Sequence, residues 1–110
     1  MWIVDWDETV FAPKERDLMF VVAGIARDLV RPHQTACFFQ GYGDAAIDPH
    51  ALAYYRYTWA VQDIAAYGER VFARPDLSEE TRWDALHSFV DLFEPGNIVD
   101  IAFTSEGKAP

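Results

Sequence analysis

The chain has 110 residues, 51% of them apolar and 15% aromatic, which is one domain with enough material for a core. Eighteen Asp and Glu against nine Lys and Arg give a net charge of −9, a surface that repels phosphate backbones, excludes DNA or RNA as a natural partner and suits metal ions or small cationic molecules. A single cysteine, Cys37, excludes an internal disulfide framework and fits a reducing cytoplasm, and the short apolar runs exclude a membrane-crossing helix and hence a membrane partner.

Trp2-Ile3-Val4-Asp5-Trp6 reads as a short strand that begins almost at the first residue. Three carboxylates within residues 1–8 argue against a signal peptide. A loop over 8–13 leads to Pro13, a residue suited to helix entry. Leu18, Val22, Ile25 and Leu29 then recur at helical spacing, which predicts a helix over 14–30, weakened at Gly24 and stopped by Arg31-Pro32. Residues 35–40 fit either a helical turn or two or a strand, and 41–44 form a turn. Asp48 is a good N-cap with Pro49 at the first helical position. A long helix is predicted from there to about Ala73. Leu52, Tyr55 and Trp59 lie on one face, and Tyr57, Val61, Ile64, Tyr67 and Val71 on another, so neighbours should cover it on two sides. Arg74-Pro75 ends it. Ser78 caps a further helix whose buried stripe is expected at Trp83, Leu86, Val90 and Phe93. Asn97 can cap a last short helix through Ile98, Ile101 and Ala102. The expected fold is mainly α, a single helical domain over 1–104 with one short N-terminal β-strand, followed by a flexible tail over 105–110.

Chemistry is concentrated at Val4-Asp5-Trp6-Asp7-Glu8-Thr9. Residues two apart on a strand share a face, so Asp5 and Asp7 can point together from its end as a hard, oxygen-rich site suited to Mg²⁺. The plainer reading makes Asp7 a loop cap and Asp5 a solvated edge residue. The D-x-D-x-T pattern resembles the first motif of haloacid dehalogenase-type phosphatases, in which the first Asp is the nucleophile. That fold needs further strands and later Ser or Thr, Lys and acidic residues, whereas this chain continues in helices.

A second resemblance covers far more of the chain. Val4-Asp5-Trp6-Asp7-Glu8 followed by residues 12–21, then Phe38-Phe39-Gln40-Gly41-Tyr42-Gly43, then Ile47-Asp48-Pro49 to Tyr57 with Gln62-Asp63-Ile64 beyond, resembles the aminoglycoside phosphotransferase family, whose fold is that of the protein kinases. Within it the spectinomycin phosphotransferase-like branch is the nearest match. The resemblance runs in order through most of residues 2–104. It implies the helical C-terminal lobe of a kinase-like phosphotransferase, working with Mg²⁺ and ATP. Asp5 would be the magnesium-binding aspartate and Asp7 would lie beside the metal. Asp17 would be the buried aspartate that braces the catalytic loop. The helical part forms the acceptor site in this family. Glu8, Asp44 and Asp63 would line it for a small cationic molecule, with Tyr42, Tyr55 and Trp59 as walls.

The departures are equally informative. The family's His-Gly-Asp catalytic motif is absent from these residues, as are the Gly-rich phosphate loop and the lobe carrying the nucleotide-binding Lys. Phosphoryl transfer needs several charges acting together, so these residues alone should be inactive or nearly so. The alternative is a non-catalytic oligomerising module. The abrupt apolar strand at 2–6 would be sticky if unpaired, which leads us to expect a homodimer. Among weaker signals, Gly41-x-Gly43-x-x-Ala46 is read as a turn rather than a dinucleotide fingerprint. Cys37 is expected to be a buried small hydrophobe, His87 a partly buried packing residue, and Trp59 and Trp83 core anchors. His33, His50 and His87 lack metal-ligand spacing.

Overall fold

The computed structural model describes residues 9–22, 24–26 and 29–105. It contains five helices in the order α1 (Glu15–Leu18), α2 (Pro32–Tyr42), α3 (Pro49–Phe72), α4 (Glu79–Asp91) and α5 (Ile98–Ser105). The described residues contain no strand, and the strand expected over 2–6 lies outside them.

The helix starts follow from local chemistry. The Asp48 Oδ1 accepts from the backbone N–H groups of His50 at 2.9 Å and Ala51 at 3.4 Å, and Pro49 has no N–H to leave orphaned. The Ser78 Oγ accepts from the Thr81 N–H at 3.1 Å. The Asn97 Oδ1 accepts from the Ile98 N–H at 2.7 Å, while its Nδ2 donates to the Asp91 carbonyl at 2.9 Å, tying the start of α5 to the end of α4.

Helix α3 is the spine, and α1, α4 and α5 all pack on it. Ala60, Leu92, Ile98 and Ala102 form the buried core, with Ile25, Tyr57, Trp59, Ile64, Tyr67 and Val99 leaning against it. Small residues set the approach of α4 to α3. Ala85 is buried, and the Phe89 ring lies over Gly68, where a Cβ would meet it at 3.5 Å, an ordinary packing contact. Helix α2 packs against none of the other helices and buries no residue. The radius of gyration is accordingly 16.0 Å, above the roughly 13 Å of a compact chain of this length.

Several expectations need correction. The helix predicted over 14–30 is a single α-helical turn, α1, followed by looser turns through Val22. Gly24 adopts φ +70, a left-handed conformation that keeps right-handed winding from continuing past these turns, although α1 itself already ends at Leu18. Arg31-Pro32 does not merely stop a helix. Pro32 opens α2, with the Arg31 N–H donating to Gln34 Oε1 at 2.8 Å, and this settles residues 35–40 as helix. Trp83, Val90 and Phe93 are half exposed rather than buried, since the small face at Ala85, with Leu92 just beyond the helix, is the one turned to α3 and the core. Val61 is likewise exposed on α3. Trp83 is therefore no core anchor, whereas Trp59 does pack against the core. Cys37 is exposed because, among the described residues, no other helix packs on α2. His87 is exposed beside Trp83, their rings 6.2 Å apart. Ser105, taken as the start of the tail, is the buried last residue of α5, and its Oγ donates to the Ala102 carbonyl at 2.8 Å.

Candidate functional site

Asp5, Asp7 and Glu8 lie outside the described residues, and so does the D-x-D-x-T motif except for Thr9. Among the described residues no group of three or more His, Cys, Asp or Glu could hold a metal ion.

The structure divides the other candidates into two sets. Tyr55, Trp59 and Asp63 are spaced by four along α3, so one face of the spine carries all three. The Trp59 ring meets Phe20 edge-on at 5.0 Å, and the partly buried Tyr55 meets Tyr54 edge-on at 5.1 Å. Burial raises the Asp63 carboxyl above its ordinary pKa, and a hydrogen bond from Trp59 opposes the rise. A half-buried acid one turn from an indole can meet a cation with both charge and a ring, and Tyr55 lies a further turn along the same face. Tyr42 and Asp44 form the second set, at the end of α2 and in the loop after it. Both are exposed, and the Tyr42 ring stacks on Phe38 at 5.2 Å. Among the described residues α2 touches no other helix, so this pair is not brought against the α3 face.

Asp17, expected to be buried, is exposed. A one-turn helix can offer α3 only the side carrying positions i, i+3 and i+4, and here these are Glu15, Leu18 and Met19. Glu15 is the buried carboxylate, 2% exposed. Its Oε1 accepts from Lys14 Nζ at 2.8 Å and from the Asp48 backbone N–H at 3.0 Å. The Lys14 ammonium and then the Asp48 amide hold its carboxyl below the ordinary range, although burial opposes them. One carboxylate thereby fixes α1 to the residue that caps α3.

Arg56 is the other residue that the sequence reading missed. It occupies the buried face of α3 together with Leu52, Ala53 and Ala60. Its Nη2 donates to the Val22 carbonyl, so the guanidinium pins the turns after α1 to the spine. Its Nε is buried without a hydrogen-bond partner, and burial pushes its pKa down. Spacing could have revealed it, since position 56 follows Leu52 by four and precedes Ala60 by four, a charge set into an apolar stripe.

A long helix flanked by two C-terminal helices, with a short buried-acid turn in front, fits the helical lobe of a kinase-like small-molecule phosphotransferase. The structure of spectinomycin phosphotransferase, APH(9)-Ia, in complex with ADP and spectinomycin matches the chain with a TM-score of 0.74 and 40% sequence identity. The match covers 96% of this chain and 32% of that one. The resemblance read from the sequence therefore holds in three dimensions, and the chain is similar to a helical part of an aminoglycoside phosphotransferase of the spectinomycin phosphotransferase-like branch. No protein-family model matches the chain. No curated protein matches it either.

Proposed function

We propose that the chain forms the acceptor side of an aminoglycoside phosphotransferase-like enzyme, which moves the terminal phosphoryl group of ATP to a hydroxyl of a small cationic molecule. The observation that carries this reading is 40% identity over 96% of the chain with a protein whose structure holds ADP and spectinomycin. In the transfer, the acceptor oxygen bonds to the terminal phosphorus while the bond to the bridging oxygen breaks and ADP leaves. The acceptor's proton needs a base. None of the described residues offers a group of the His-Gly-Asp type, and the 110 residues contain no such motif. Asp63, with Trp59 one turn away, would hold the cationic acceptor, and Tyr55 would extend the same wall a further turn along α3. Asp5 would be the Mg²⁺ ligand with Asp7 and Glu8 close by. Bound Mg²⁺ would neutralise phosphate oxygens there. Positioning and several charges must act together in such chemistry, so these residues alone bind without turning over. The single exposed thiol suits a cytoplasmic setting, and among the described residues no helix is long and apolar enough to cross a membrane.

Titration calorimetry with spectinomycin and with Mg²⁺-ATP, paired with an ADP-release assay, tests the reading. Heat from spectinomycin that shrinks in Asp63→Asn, without ADP release, is the expected result. The absence of acceptor heat would remove the acceptor-side assignment. ADP release that vanishes in Asp5→Asn would overturn the claim that these residues are inactive alone.

A further inference from the structure

Two apolar helix faces are left without a partner among the described residues. Helix α2 carries Phe38, Phe39 and Tyr42, whose rings touch one another at 5.2–6.1 Å. Phe38 is 38% and Tyr42 51% exposed. The helix is tied down through Thr35, whose Oγ1 donates to the Val21 carbonyl at 2.9 Å. The second face belongs to α4. Trp83, Leu86, Val90 and, just past its end, Phe93 recur at helical spacing on the side turned away from Ala85. Two shallow cavities of about 480 and 350 Å³ open along this side and share Leu86 in their walls.

We propose that α2 of one copy docks on this outer face of α4 in a second copy, and that the reverse contact forms at the same time, giving a two-fold dimer. Charge selects this pairing over its rivals. Residues 32–42 contain no carboxylate, and Arg31 and His33 stand at the start of α2. Around the α4 stripe lie Glu79, Glu80, Asp84, Asp91 and Glu94, with Arg82 the cation among them. Two α4 faces brought together would oppose like charges, whereas α2 against α4 sets a neutral-to-basic aromatic helix in an acidic-rimmed groove. The lengths also agree. Eleven residues of α2 and thirteen of α4 correspond to roughly 16 and 20 Å of helix. A reciprocal exchange closes on itself, leaves neither face open, and doubles the area that a single helix contact would bury. The aromatic side chains supply the anchors. This dimer uses a different surface from residues 2–6, where the sequence led us to expect pairing, and it does not depend on the phosphotransferase reading.

Sedimentation equilibrium on the full chain at micromolar concentrations tests the proposal. A dimer is expected, and Phe38→Ala and Trp83→Ala should each raise its dissociation constant by about tenfold or more. Both side chains are exposed, so circular dichroism should report unchanged helix content. Pairing is tested with two Cys37→Ser copies, one carrying Gln34→Cys and the other His87→Cys, mixed under mild oxidation, because position 34 lies one turn from Phe38 whereas Cys37 lies on the far side of α2 from Phe39 and Tyr42. A disulfide joining position 34 to position 87 is expected to outpace one joining two copies of position 34. A monomer at every concentration would overturn the proposal and leave both faces to some other polypeptide. A crosslink between two copies of position 34 alone would overturn it in favour of α2 pairing with itself.

Discussion

Leu92, Ile98 and Ala102 are almost wholly withdrawn from water against α3, whereas no residue of α2 is buried. The region from α3 onward is held by apolar packing, which is non-directional and spread over many atoms. The region before it adds to its apolar contacts, from Leu18, Met19, Phe20 and Ile25, three polar ties, namely Glu15 to Asp48, Arg56 to Val22 and Thr35 to Val21. Packing of the first kind tolerates changes of pH and salt. Ties of the second kind are single points of failure, and each can be tested separately.

The largest expected effect lies in the packed region. Ile98 is 1% exposed, and Ile98→Ala should cost about 2–5 kcal/mol in denaturant unfolding, through lost transfer energy and a residual cavity. Next is Glu15→Gln, which removes a buried charged acceptor and should cost about 1.5 kcal/mol at pH 7. The Glu15 carboxyl is lowered in the fold, so its contribution is complete above its unfolded pKa of about 4.3 and is lost as pH falls through the lower folded value. The variant and the parent should therefore converge in acid, and an unchanged gap at pH 3 would break the account. Arg56→Met fills the same apolar stripe without a guanidinium. It should leave bundle stability nearly intact while amide exchange across residues 20–22 rises about tenfold. Equal acceleration across α4 and α5 would show that the two regions are one cooperative unit. Ser78→Ala removes a cap within the packed region and should cost about 1 kcal/mol. The smallest effect is expected at Asp63, whose raised pKa has the opposite sign to that of Glu15. Its contribution is present in acid and lost as pH rises through the folded value. Asp63→Asn should thus be neutral or stabilising by a few tenths of a kcal/mol at pH 7 and without effect at pH 3.

What could be read from the sequence was whatever short-range chemistry decides. Asp48-Pro49, Ser78 and Asn97 each place a helix start with atoms only one to three residues away, and all three caps are present. The sign of φ at Gly24 was not legible, because a glycine in an apolar stripe is compatible with a helix until the tertiary fold bends the chain there. Nor was the choice of face on α4. Its bulky stripe has the stronger periodicity, but the small side at Ala85 permits closer approach to α3. At the candidate site, the spacing of Tyr55, Trp59 and Asp63 along one face followed from helical geometry alone. The replacement of Asp17 by Glu15 as the buried acid did not, since it depends on which side of a single turn meets α3.

The dependence of α1 on Asp48 and Val22 on Arg56 has a consequence for biosynthesis. Residues 9–31 leave the ribosome before the spine that holds them has been made, at roughly 5–20 residues per second. Their order of emergence is thus the reverse of their order of consolidation, and for several seconds this stretch is an unanchored apolar segment that a chaperone would recognise.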